Sequence, residues 1–424
     1  MSIYKGKKLL VLGGASQHCK VVEAAHRLGI KVYVADYLEN SPAKLIADES
    51  FTIDVFATEK LSELCRSHKI DGVIATSLDA CQIPYQKLCE EMGYPCFGTE
   101  EQYRIFTDKA IFKQYCREYG VDIVPSYTEM DVANEEIEYP VFVKPTDSRG
   151  SRGQRICENR DSAEQAIRQA KMESKSGNVI IEKYMQGCSD FTVAYLVKDG
   201  VPVLVRTGDR FEGPVGSGIE NLCIASCSPS KYTEAYLNGA HKNVISMLKG
   251  IGLKNAPVFM QGFIDGDKIR FYDPGLRFAG GEYERLLYMA TGIDVIELLV
   301  EFALTGRASS QMIDDSVSKL NNKYLIQLDP TLKAGKIKKI QGIESIRQNP
   351  AVIYVAQRYK AGEQVPDGND LSRRFAEFSI LGNCIEDVIE NVQYVQKTLE
   401  VIDMDNQEMI VYPFEICNLK NKSV

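Results

Sequence analysis

The periodicity of apolar and polar positions changes along the chain. Over residues 1–105, short apolar runs ("KLLVLGG", "KVYVAD", "DGVIATS", "PCFG") alternate with amphipathic stretches ("QHCKVVEAAHRLG", "EKLSELCRSH", "CQIPYQKLCEEMG"). Strands alternating with helices predict a parallel sheet covered by helices, a doubly wound α/β domain. From Phe106 the pattern becomes a helix, "TDKAIFKQYCREYG", with Thr107 or Asp108 as cap and Gly120 as stop. Strands follow in "VFVKP", "NVIIEKYMQG" and "DFTVAYLVKDGVPVLVR", and the glycines and proline of "GDRFEGPVGSGIENL" predict a long loop, a lid candidate. Next come one amphipathic helix in "SKYTEAYLNGAHKNVISMLKGIG", a hairpin in "PVFMQGFIDGDKIRFYDPG" turning at Asp265-Gly266, and a helix in "DVIELLVEFALTG". The polar stretch "RASSQMIDDSVSKLNN" reads as a boundary before residues 320–424, which carry short strands and one long helix, "CIEDVIENVQYVQKTLEV".

Several positions in this pattern carry chemistry. In "YPVFVKPTDSRGSRGQR", alternation puts Val141 and Val143 on one side of a strand and Phe142 with Lys144 on the other. Behind the strand, Gly150 and Gly153 free the backbone to turn its amides toward an anion, and Arg149 and Arg152 add positive charge. The segment suits a phosphate, but taken alone it reads first as a solvated basic loop after an edge strand. Lys109 lies in the first turn of its helix, where it opposes the helix dipole unless an anion binds the free amides beside it. The hairpin brings Gln261 and Asp273 to inner positions of adjacent strands; two oxygen-bearing side chains suit Mg²⁺, or a plain cross-strand hydrogen bond. Arg277 follows four residues after Asp273, close enough to steady charge developing on a transferred phosphoryl or acyl group.

Composition narrows the field. Hydrophobic and charged fractions of 44% and 25% are those of an ordinary soluble protein, and a net charge of −8 argues against general affinity for nucleic acid or anionic membranes. No apolar run is long enough to span a bilayer, and "MSIYKGKK" leads into a strand and glycines, not a cleavage region; the expectation is cytoplasmic. The twelve cysteines show no CxxC pair, Cys223 and Cys227 lack nearby histidines, and the four histidines form no HExxH array, so the residues offer no zinc site. Gly13, Gly14 and Asp36 have the outline of a dinucleotide fingerprint, but Ala15 and His18 stand where its second and third glycines belong, and the glycines read as turn residues. No GxxxxGK[ST] phosphate loop and no G-x-S-x-G nucleophile elbow occurs.

The order of parts is a helix-start lysine, a strand lysine before a Gly-rich loop, "IIEKYM", Gln and Asp on a hairpin, then Arg. This resembles the ATP-grasp superfamily, closest to its biotin carboxylase, carbamoyl phosphate synthetase and L-amino-acid ligase branch. The resemblance implies an N-terminal pre-ATP-grasp domain over 1–105, a two-lobed nucleotide clamp over 106–305 with a boundary near 186, and a closing domain over 320–424, where "KAGKIKKIQGIESI" and "YKAGEQV" carry the likeness. It implies Lys109 and Lys144 as phosphate ligands and Arg149, Gly150, Ser151, Arg152 and Gly153 as a loop over the phosphates. Lys183, Tyr184 and Met185 would border adenine through backbone groups, with Glu182 close by, and Asp190 would stand where many members bind the ribose with glutamate. Gln261 and Asp273 match two Mg²⁺ positions, whereas Gly275 in "DPGLR" replaces the family's asparagine and removes a ligand, leaving water or Glu282 to substitute. Arg277 matches the family's arginine, and Arg206 in "RTGD" stands where carbamoyl phosphate synthetase has histidine. ATP and Mg²⁺ are the implied cofactors, and small carboxylates and amines, Glu282 and Glu284 near the amine, the implied substrates. A homodimer is implied too. The implied reaction is carboxylate-amine ligation through an acyl phosphate, beside two alternatives: phosphorylation of bicarbonate, or a nucleotide sensor without turnover. The glycine pattern leaves an NAD-binding role last.

Overall fold

The computed structural model describes residues 4–146, 154–174, 177–214, 221–307, 310–368, 371–411 and 413–420. Strands β1 (Lys8–Leu12), β2 (Lys31–Asp36), β3 (Glu49–Thr52) and β4 (Gly72–Ile74) form a parallel sheet in the order β3-β2-β1-β4. The pattern reading missed β3, an edge strand whose outer positions are exposed and which shows no apolar alternation; Phe51 alone packs inward, stacked on Tyr33. The apolar run "PCFG" forms no strand, and its Phe97 packs into the core on Phe302. That contact belongs to the helix Val295–Thr305, which lies so close that a Cβ on Gly72 would come 2.2 Å from the Ala303 carbonyl oxygen. One hydrophobic core therefore runs from the N-terminal sheet into the middle of the chain.

A small lobe follows, with β5 (Ser126–Tyr127), β6 (Val141–Pro145), β7 (Arg155–Cys157) and β8 (Val179–Lys183) paired antiparallel in the order β5-β8-β6-β7. Val141, Val143 and Ile181 bury one face against the helix Arg160–Glu173; each such side chain stabilises by about 1.5–3 kcal/mol. The other face carries Phe142, Lys144 and Glu182. Beyond it, β9 (Ser189–Lys198), β10 (Val201–Pro214), β11 (Asn221–Ser228), β12 (Ala256–Asp265) and β13 (Lys268–Gly275) join β14 (Tyr324–Leu328), β16 (Val352–Gln357) and β18 (Ala376–Gly382) in one sheet, ordered β13-β12-β9-β10-β11-β14-β18-β16. A third small sheet holds β17 (Gln364–Val365), β15 (Gly335–Gln341) and β19 (Glu400–Asp403).

Three expectations change here. Gly208–Pro214, read as the start of a loop, is strand, because β9 and β11 bond it on both sides and a bulge at Phe211/Glu212 absorbs the irregularity. Asn221 and Leu222, the end of the expected lid loop, begin β11, and its middle, 215–220, lies outside the described residues. The single helix over 230–252 is two, Thr233–Asn238 and His241–Ile251, broken where Gly239 leaves helical geometry. The hairpin turns at Gly266-Asp267, one residue later than expected, since Asp265 still pairs with Lys268. Among the described residues no helix is long and apolar enough to cross a membrane.

Candidate functional site

The wall contributed by the small lobe begins with a cap. Asp108 accepts from the amides of Ala110 and Ile111 and starts the helix Lys109–Glu118, which sets Lys109 and Lys113 one turn apart on the same side. Lys113 Nζ donates to Glu182 Oε1 at 2.5 Å and to the Val124 carbonyl at 3.3 Å. Lys144 Nζ lies 3.5 Å from Glu182 Oε2 and 5.3 Å from the Phe142 ring centre, so the alternation that paired Lys144 with an aromatic face holds. Lys109 Nζ reaches across to Asp273 Oδ1 at 2.7 Å. Burial pushes the Lys144 ammonium below its usual range, since Glu182 offsets only part of that cost. At Lys109 burial acts the same way, but Asp273 outweighs it and raises the group. Burial would raise Glu182, yet Lys144 and Lys113 together hold its carboxyl below the ordinary range.

The floor comes from the large sheet. Register sets Arg210 of β10 opposite Asp190 of β9, and Gln261 of β12 opposite Asp273 of β13. Arg210 Nη1 donates to Asp190 Oδ2 and, at 3.0 Å, to the Tyr272 hydroxyl. The orientation of the Gln261 amide is assigned from its neighbours. With its oxygen toward Arg210 it accepts from Nη1 at 3.0 Å and Nε at 3.2 Å, whereas the reverse orientation would set oxygen against acceptors. Burial pushes the Asp190 carboxyl up to about 7, with Arg210 pulling the other way.

Between wall and floor lies a cavity of about 670 Å³. Lys109, Lys144, Glu182, Lys183, Tyr184, Met185, Asp190 and Asp273 line it, with Val124, Phe142, Ile156 and Phe263 supplying apolar surface. The Lys183 amide already donates to the Pro125 carbonyl, and its ammonium pairs with exposed Glu138. Gln261 sits between two lining residues, Arg210 and Asp273. Arg149, Gly150, Ser151, Arg152 and Gly153 lie outside the described residues. Arg206 and Arg277 are not among the lining residues. Arg277 holds Asp79 of the N-terminal sheet's helix with Nε at 2.5 Å and Nη2 at 2.9 Å, and stacks 4.5 Å over Phe259. Arg206 is buried 4.4 Å over the Tyr283 ring, with Nη2 donating to Ser226; burial lowers its pKa, and among the described residues its Nε has no partner.

The two acids proposed near an amine are held by the chain's own cations: Glu284 by Lys20 at 2.5 Å and Glu282 by Arg285 at 3.0 Å. Reasoning from sequence missed Lys113, Arg210, Tyr272 and, near the end of the cleft, Lys231 and Asn418. Only Lys113 left a signal, its spacing of four from Lys109.

A divalent ion fits here in part. Asp273 is a half-buried carboxylate paired with Lys109, but the Gln261 oxygen faces Arg210. A Cβ at Gly275 would come 2.2 Å from Phe259 Cε1, so the ring fills the place of any side chain there. Among the described residues no three His, Cys, Asp or Glu come together as a metal cluster.

Residues 108–210 match the carbamoyl-phosphate synthase L chain ATP binding domain family. Formate-dependent phosphoribosylglycinamide formyltransferase of Bacillus velezensis is 26% identical over 271 residues, covering 61% of this chain and 68% of that one. Among solved structures, L-amino acid ligase from Bacillus licheniformis superposes with a TM-score of 0.79 at 18% identity, over 94% of this chain and 99% of the ligase. The biotin carboxylase domain of 2-oxoglutarate carboxylase from Hydrogenobacter thermophilus, solved with MgADP, ADP and bicarbonate, gives 0.77 at 20% identity, over 95% and 91%. The matched segment holds Lys109, Lys144 and Glu182, and the chain shares its fold with these solved structures along nearly its whole length.

Proposed function

We propose that the chain joins a small carboxylate to an amine at the expense of ATP. The observation that carries this is the meeting of Lys109, Lys144 and Asp273 on one cavity large enough for a nucleotide, with apolar surface for a base at one part and cations at another. In the first step a carboxylate oxygen attacks the γ-phosphorus and ADP leaves, giving an acyl phosphate. In the second the amine nitrogen attacks the acyl carbon, phosphate leaves and the nitrogen gives up a proton. Neither step needs a protein nucleophile, and positioning with charge neutralisation supplies the rate. Lys109 and Lys144 would neutralise phosphate oxygens, and Glu182 would hold Lys144 in place. Bound at Asp273, Mg²⁺ would supply further neutralising charge to the phosphates. The domain limits 1–105, 106–305 and 320–424 are proposed with this reading, the middle segment as the nucleotide clamp.

The formyltransferase relative's name pairs formate with an amine-bearing acceptor, which fits the same chemical class. The test is phosphate release from ATP across a panel of carboxylates, formate and amino acids first, each with and without amines. Release that needs both partners supports ligation. A bicarbonate-only response would move the reading to the carboxylase-like alternative. Saturable ATP binding with no release would favour a sensor, the reading that Gly275 and Phe259 lend some support.

A further inference from the structure

Arg210 is a partly exposed cation on the floor that the mechanism above does not use. Desolvation works against its charge, and Asp190 beside it more than restores it. Through Nη1 and Nε it faces three acceptors, Asp190, Tyr272 and Gln261. Among the described residues these bonds leave Nη2 as the open end of the fork, and Arg210 lines the cavity together with Lys109, Lys144 and Asp273. Arg210 also competes with an ion for Gln261, whose oxygen, turned toward it, faces Nη1 and Nε. Phe259 closes the third position at Gly275. Of Gln261, Asp273 and position 275, only Asp273 then keeps an oxygen free of Arg210 for a divalent ion, on a floor that still has to neutralise a polyphosphate.

Resting on the nucleotide reading, we propose that Arg210 binds the polyphosphate directly and supplies, as a guanidinium, the positive charge that a second metal ligand set would otherwise bring to this face. Arginine suits the role: its planar fork can hold Gln261 and Asp190 with one edge and a phosphate oxygen with the other.

The test is calorimetric binding of a non-hydrolysable ATP analogue and of adenosine to the full chain, each in Mg²⁺ and in EDTA. Arg210→Gln is expected to weaken the analogue about tenfold or more in both buffers, as for a lost charge-assisted hydrogen bond, and to leave adenosine within about twofold. Arg210→Lys is expected to recover most of the loss. Because Arg210→Gln leaves buried Asp190 without its cation, Arg210→Gln/Asp190→Asn is compared with Asp190→Asn alone, and the same difference between analogue and adenosine is expected. Equal losses for adenosine and analogue would make Arg210 only a counter-ion for Asp190 and overturn the proposal. So would a loss confined to Mg²⁺, or no loss at all. A wild-type chain that binds neither compound would overturn the nucleotide reading itself, and this proposal with it.

Discussion

Lys109 Nζ and Asp273 Oδ1 stand 2.7 Å apart, so the proposed phosphate ligand and the proposed metal ligand hold each other. A phosphate that draws Lys109 and an ion that draws Asp273 must both part this pair. Each partner keeps about a third of its side chain exposed, and such a pair is worth only about 0–1 kcal/mol. Lys109→Met is therefore expected to weaken an ATP analogue about tenfold while strengthening Mn²⁺ binding without nucleotide by no more than about fivefold. Calorimetry for the analogue and electron paramagnetic resonance for Mn²⁺ check the two halves, and movement of both in the same direction would remove the competition.

Lys144 is half-buried on a face shared with Phe142, while its strand's other face forms the small lobe's core. Removing the ammonium deletes charge from the cleft and leaves Val141 and Val143 packed. Lys144→Ala is expected to cost about 2–4 kcal/mol of transition-state stabilisation, read as kcat/KM for ATP-dependent phosphate release. Its thermal unfolding should stay within a few degrees of wild type, because Glu182 retains Lys113.

Much of this wall was legible in the sequence, and the floor much less so. Alternation in "VFVKP" placed Lys144, a short polar residue before an amphipathic run placed the Asp108 cap, and a Gly turn between two strands placed Gln261 against Asp273. These are local signals, set within a few residues. Lys113 was hidden because a lysine on an amphipathic helix ordinarily faces water, and only Glu182, far along the chain, makes it a buried ion partner. Arg210 was hidden because Gly208, Gly213 and Pro214 give its strand the composition of a loop, whereas neighbouring strands on both sides hold it extended. Tyr272 faces Asp190 only because a bulge at Gln261/Gly262 shifts the register. The short parallel strand β3 and the core role of Phe97 likewise depend on partners far along the chain.

Glu182 predicts an acid-dependent stability. Its folded carboxyl lies below the ordinary 4.5, burial being outweighed by Lys144 and Lys113. A lowered folded value means that the unfolded chain takes up the proton first, so the contribution is complete above the unfolded range and is lost as pH falls through the folded value. Glu182→Gln strands two buried ammonium groups and is expected to cost about 3–5 kcal/mol at pH 7. The gap between wild type and variant should close as urea titrations move from pH 6 toward pH 3. A gap independent of pH would assign the loss to packing.

The contact between Gly275 and Phe259 gives a test of why this hairpin lacks a side chain at its third position. An asparagine there would need its Cβ 2.2 Å from Phe259 Cε1, far inside contact distance, and Phe259 is nearly fully buried beneath the Arg277 guanidinium. The ring cannot retreat without moving Arg277, which is itself held by Asp79. Gly275→Asn alone is therefore expected to destabilise by about 1–3 kcal/mol, as overpacking does. Phe259→Leu alone should cost less than about 1.5 kcal/mol as a moderate change of core volume, while freeing space along the strand. The double variant should be more stable than the sum of the two singles requires, by about 0.5 kcal/mol or more, since the two positions share one space. Urea unfolding of the four proteins measures this coupling directly. Strict additivity would mean that the backbone, and not the ring, sets the cost of a side chain at 275.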